Sequence, residues 1–151
     1  MNSIKKKLFL NMALLAGFMF IDLSLIPVSV SAHTAEKGNL QIIHPWVDAA
    51  AQGENATIHP TFMNNDEEKT YVVTGAESAA SESVRFLKDG EAIDRITLQP
   101  GDILSDEDVT VELVNLKEAL ETGEVISMTI SFSDGTTLDF KLGVGAETMP
   151  E

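Results

Sequence analysis

Period-two alternation, broken by tight-turn dipeptides, is what most limits the folds open to this chain. Val109, Val111 and Leu113 alternate with Thr110 and Glu112. Ile126, Met128, Ile130 and Phe132 alternate with Ser127, Thr129 and Ser131, and Leu138, Phe140, Leu142 and Val144 repeat the pattern. Side chains on a strand point alternately to its two faces, so each run supplies one dry face and one wet face. Asp134-Gly135 separates the last two runs, and Asp89-Gly90 separates 83–88 from 91–98. Asp-Gly between alternating runs signals a hairpin, because the turn demands positive φ. Further strands are expected at 40–47, 56–64 and 70–76, with turns at Asn64-Asn65-Asp66 and Pro100-Gly101. Only 115–122 reads as helical, and two turns of helix are marginal alone. About seven or eight short strands at this spacing predict an all-β sandwich or barrel.

The amino-terminal segment has a different grammar. Lys5, Lys6 and Lys7 precede an apolar run from Leu8 to Phe20 that only Asn11 interrupts. Pro27 and small residues follow, with Val30 and Ala32 at the −3 and −1 positions of a cleavage site. This is the order of a secretory signal peptide, so residues 1–32 are expected to be removed and the remainder to work outside the cytoplasm, periplasmic or secreted. The alternative is a retained anchor, since 8–26 nearly reaches spanning length; Asp22 argues against it. Cleavage after Ala32 leaves 119 residues beginning at His33. They are expected to form one domain over 33–145, followed by a flexible acidic tail at 146–151.

The whole chain carries a net charge of −14. Losing Lys5, Lys6, Lys7 and Asp22 leaves 7 basic and 23 acidic side chains, net −16. Such a surface repels nucleic acid and anionic lipid. The acids at Asp66, Glu67, Glu68 and at Asp106, Glu107, Asp108 do not follow the calcium-loop pattern. There is no cysteine, which excludes disulfides, thiolate metal sites and a cysteine-linked lipid. No nucleophile elbow, zinc-protease helix or phosphate loop is present, so no enzyme is expected.

Metal chemistry has few donors to draw on. His33, His44 and His59 are the three histidines, and Met63 follows His59 by four positions. On a strand His59, Thr61 and Met63 share one face, with Phe62 on the other. A first-residue histidine can chelate copper through its amine and imidazole together, and a second imidazole completes a three-nitrogen site suited to Cu(II). His33 with His44 or with His59 meets that description, and eleven residues reach about 35 Å when extended. The bland alternatives are a tolerated polar residue at 33, a local hydrogen bond at 44 and a packing role at 59.

The order of motifs resembles the PCu(A)C-type periplasmic copper chaperones. His44-Pro45-Trp46-Val47 is similar to that family's Pro-Trp element, and 55–64 to its strand ending in an asparagine turn. Val72-Val73-Thr74-Gly75-Ala76, Leu98-Gln99-Pro100-Gly101-Asp102 and Asn115-Leu116-Lys117-Glu118 follow in the family's order, across 40–144. The resemblance implies a cupredoxin-like, Greek-key β-sandwich. It also implies Cu(I) capture for a respiratory oxidase, with a copper donor or acceptor protein as partner. The usual His, Met and His-x-Met ligands are absent: Leu87, Ile93, Thr110 and Glu112 stand where they are expected. Copper at the amino-terminal histidines is one reading; a metal-free interaction or scaffold module that kept the sandwich is the other.

Overall fold

The alternation is realised as eleven β-strands in a computed structural model that describes residues 34–145. Residues 1–33 and 146–151, on which the expected signal peptide, His33 and the expected acidic tail fall, lie outside the described residues. The strands are β1 (Ala35–Lys37), β2 (Leu40–Val47), β3 (Ala56–Asn64), β4 (Tyr71–Glu77), β5 (Ser81–Lys88) and β6 (Glu91–Ile93). They continue with β7 (Ile96–Leu98), β8 (Ile103–Leu104), β9 (Thr110–Leu116), β10 (Val125–Phe132) and β11 (Thr137–Val144). The expected all-β sandwich is the fold found, with more strands than the seven or eight read from the sequence. Hydrogen bonding runs β6-β5-β9-β3-β2-β11-β10-β4-β7, with β1 added to β2 and β8 to β3. Pairing is antiparallel except between β11 and β2, where Gly143 meets Trp46 and Val144 meets Val47.

The dry faces meet in one core. Leu40, Ile42 and Val47 of β2, Ile58 and Phe62 of β3, Val111 and Leu113 of β9, and Ile130, Leu142 and Val144 of the last hairpin are buried there. Removing such side chains from water is the main stabilising term for a chain that has no cross-links.

Two expectations need correction, and two strands were not expected. Residues 115–122 are not helical: Asn115 and Leu116 finish β9, and among the described residues there is no helix. Asn115 takes φ 55°, and Leu116 already bonds back to Glu54, so the backbone leaves the strand in a turn instead of winding. Residues 91–98 are two strands, not one. β6 pairs with β5 and β7 with β4, so the chain changes neighbours across Asp94-Arg95. Consequently the two ends of the hydrogen-bonded path are covered by adjacent parts of one segment. β1 and β8 were too short to register as alternation.

Both Asp-Gly turns form. Asp89 (φ 51°) and Gly90 (φ 79°) both occupy left-handed space between Lys88 and its partner Glu91, the geometry of a two-residue primed turn. Asp134 shapes the other turn by accepting from the Thr136 hydroxyl and backbone N–H, with Lys37 beside it. These bonds, the Thr136 hydroxyl first, hold its carboxyl down to about 2. A depressed carboxylate stabilises the fold above its ordinary value of 3.8, and that contribution is lost as pH falls through the folded value near 2. Asp134→Asn is therefore expected to lower the unfolding midpoint near neutrality. The gap to the parent should close at about pH 2; a gap independent of pH would contradict this account.

Candidate functional site

β2 does not run straight. Its register with β3 passes from Ile43↔Thr61 to Trp46↔His59, which leaves one extra residue on β2. The extra residue is taken up at His44, whose φ is 44°, next to the buried ring of Pro45. A bulge of this kind re-aims side chains, and it sits opposite Pro60, which has no N–H to lose from the ladder. The His44 side chain is exposed and makes no hydrogen bond or ion pair with any described residue.

His59 lies across from Trp46, and the two rings stack with centroids 3.9 Å apart and planes 14° from parallel. As expected, His59, Thr61 and Met63 share the outer face while Phe62 is buried. Each nitrogen of His59 meets a carboxylate: Nδ1 is 2.8 Å from Asp106 and Nε2 is 3.2 Å from Asp48. A neutral imidazole has one N–H and an imidazolium two, so only the charged ring donates to both at once. Asp48 follows β2 and stays in register through its own N–H to Thr57. Asp106 comes from the loop between β8 and β9. There Asp108 accepts from the backbone and hydroxyl of Ser105, making a tight turn that presents Asp106. The sequence singled out His59 but not its carboxylates; Asp106 is 47 positions away, and nothing local marks it.

Among the described residues no group of three His, Asp or Glu side chains is arranged to hold a metal. Asp48 and Asp106 fail to form one with His59 because they lie against opposite ring nitrogens. Met63 stands further along β3, opposite Gln41 on one side and Ile103 on the other, away from this cluster.

The positions matched to the usual copper ligands are brought together, but not as donors. Leu87 lies directly across from Thr110, and Arg85 from Glu112. Arg85 Nε and Glu112 form an ion pair. Glu112 also faces Thr57 on β3, and the same register carried to the next outward row brings Thr110 level with His59. Leu87, Thr110 and Glu112 therefore share the face that carries His59. Ile93 does not. It pairs with buried Phe86 and packs against the core, so Ala92, opposite Leu87, is the residue that occupies this face. A hydroxyl, a carboxylate already bound to guanidinium and an aliphatic side chain do not fit Cu(I), which prefers thioether and imidazole.

The fold is that of a PCuAC-type domain. The chain superimposes on the copper-bound PCuAC domain from PmoF2 with a TM-score of 0.67 and 26% identity, covering 76% of this chain and 98% of that one. The fold is shared with Cu(I)-bound DR1885 from Deinococcus radiodurans, at a TM-score of 0.56 and 18% identity, over 71% of this chain and 80% of that one. Residues 40–144 match the family described as "Putative lipoprotein LpqE-like", and the chain belongs to that family. It is 30% identical over 123 residues to "Putative lipoprotein Lxx21020" of Leifsonia xyli subsp. xyli, 74% of this chain and 73% of that protein.

Proposed function

We propose that the protein is an exported, copper-chaperone-like domain whose cargo is held by His33 and His44 and not at the usual Met/His positions. Met63 is a further candidate donor, and delivery to a respiratory oxidase is the family role the proposal carries over. One observation supports the site above the others. His44 sits at the bulge on β2, exposed and two residues beyond Ile42, which pairs with Ala35 near the start of the described residues. A first-residue amine and imidazole with one further imidazole make a three-nitrogen site suited to Cu(II). The exposure of His44 and its lack of a described partner leave its ring available. His59, engaged at both nitrogens, is the weaker partner for His33.

The test is Cu(II) titration of exported protein with its native start, beside a version with one extra residue ahead of His33 and a His44→Ala variant. Both changes are expected to weaken binding by about 100-fold or more, about 2.7 kcal/mol. Affinity should also fall on acidification, because imidazole ligates only when neutral. Equal affinity in all three would discard the amino-terminal site. The metal-free interaction module is a second reading, favoured by the Arg85–Glu112 pair in place of ligands. Absence of any copper binding would support it.

A further inference from the structure

We infer that His59 and Asp48 form a second, open site for a borderline divalent cation, oriented by Asp106 and distinct from the amino-terminal one. The argument begins with a spacing. His59 Nε2 and Asp48 Oδ1 are 3.2 Å apart. Two donors each about 2.1 Å from one metal, at angles between square and tetrahedral, are separated by about 3.0–3.4 Å. The pair thus has the bite of two adjacent ligands before any ion arrives. The cation takes the place of the proton between them: Nε2 loses its hydrogen to solvent, and its lone pair and the carboxylate oxygen face the metal.

The other side of the ring supplies what a metal-bound imidazole needs. Nδ1 keeps its hydrogen and donates to Asp106 at 2.8 Å. A carboxylate behind the distal nitrogen fixes the tautomer and raises the basicity of the ligating one. Asp106 is a positioning residue here and does not touch the ion. The stack on Trp46 fixes the plane of the ring, and the backbone bond from Asp48 to Thr57 fixes the start of the second ligand. Ring and carboxylate are thus held from three separate segments of the chain.

The chemistry selects the ion. Imidazole with carboxylate suits Cu(II) and Zn(II), and it is a poor match for Cu(I). Two carboxylates and a neutral ring leave a local charge of −2, which a divalent cation offsets. The donor set stops at two protein groups, so the remaining positions are left to water or to a group from a partner. That openness suits transfer more than storage, since structural sites are closed by four protein ligands.

Trp46 is the chain's only tryptophan and lies against His59, so it reports directly on this ring. The experiment titrates Cu(II), and separately Zn(II), into exported protein with its native start and into the version extended ahead of His33. Tryptophan emission and bound metal are both followed. In the extended version carrying His44→Ala, which removes the amino-terminal site two residues from Trp46, Cu(II) is still expected to quench Trp46 with a defined midpoint. Asp48→Asn and His59→Gln should each raise that midpoint at least 10-fold. Asp106→Asn should raise it about 10–100-fold, the usual effect of losing a carboxylate behind a ligating histidine. Zn(II) should compete with the Cu(II) quenching. Circular dichroism identifies any variant that fails to fold, and the other two then carry the test. Quenching that vanishes in the extended His44→Ala version would overturn the second site while sparing the first. Midpoints unchanged by Asp48→Asn and His59→Gln would overturn it outright, whatever happens at His33.

Discussion

Asn64→Ala is expected to cost about 3 kcal/mol or more of folding stability, a large share of what a domain of this size possesses. Asn64 is 1% exposed at the end of β3. Its amide donates to the carbonyls of Lys69 (2.8 Å), Leu98 (3.1 Å) and Gln99 (3.0 Å), and its oxygen accepts from Asp66 N–H at 2.9 Å. One side chain thus joins the end of β3, the approach to β4 and the end of β7. Alanine would take the amide donor from all three carbonyls, of which that of Gln99 keeps the Asp102 N–H, and a buried polar group that loses its partner costs more than its hydrogen bond contributes. Aspartate would be no better, because it accepts and cannot donate to three carbonyls. Chemical denaturation of Asn64→Ala beside Asn65→Ala is the measurement. Asn65 is exposed and gives its amide only to Gln41, so it should cost far less. Similar losses in the two variants would show that the Asn64 network is not what closes this corner.

The second large effect is a gain. Leu87→His, Ala92→Met, Thr110→His and Glu112→Met together are expected to raise Cu(I) affinity at least ~100-fold over the unmodified chain, about 2.7 kcal/mol. The four positions lie on one face: Leu87 pairs with Ala92 on one side and Thr110 on the other, and Glu112 follows Thr110 by two residues on β9; the new donors are soft enough for the ion. Replacing Ile93 in place of Ala92 should fail, because residue 93 points to the core. In the unmodified chain, Thr110→Val and Glu112→Gln should leave Cu(I) binding as it was. Competition against a Cu(I) chelator reads both sets of variants. No gain in the quadruple variant, or a gain equal to that of the Ile93 version, would mean that this face is not laid out for the ion.

What the sequence made legible follows from which interactions are local. Strand β3 is readable to the residue because alternation and burial agree along its whole length, and β2 is readable as far as its bulge. The two Asp-Gly turns are equally plain, since their φ values are dictated by the residues inside them. Asn115–Leu116 misled because Leu116-Lys117-Glu118-Ala119-Leu120 has good helix formers. Tertiary pairing with Ser81 and Glu54 outweighs propensity there. The division of 91–98 was hidden because a change of partner leaves no mark on alternation. At the candidate site, the outward direction of His59 could be inferred from period two. Asp48 and Asp106 could not, because a loop fold brings them to the ring from 11 and 47 residues away. The bulge at His44 was also unreadable, although a histidine before Pro-Trp on a strand is where one would now look.

The segment from Glu91 to Leu98 gives the sandwich a buckle. A sheet path with two ends would ordinarily offer two open margins to a neighbouring chain, each a template for aggregation. Here both margins are occupied by three-residue strands on either side of Asp94-Arg95. Opening that short segment would bare both margins together, so the buckle ties their protection into a single event. For a domain expected to fold beyond the reach of cytoplasmic chaperones and without a disulfide to hold it shut, a cut at Asp94-Arg95 would then be more damaging than its place on the surface suggests.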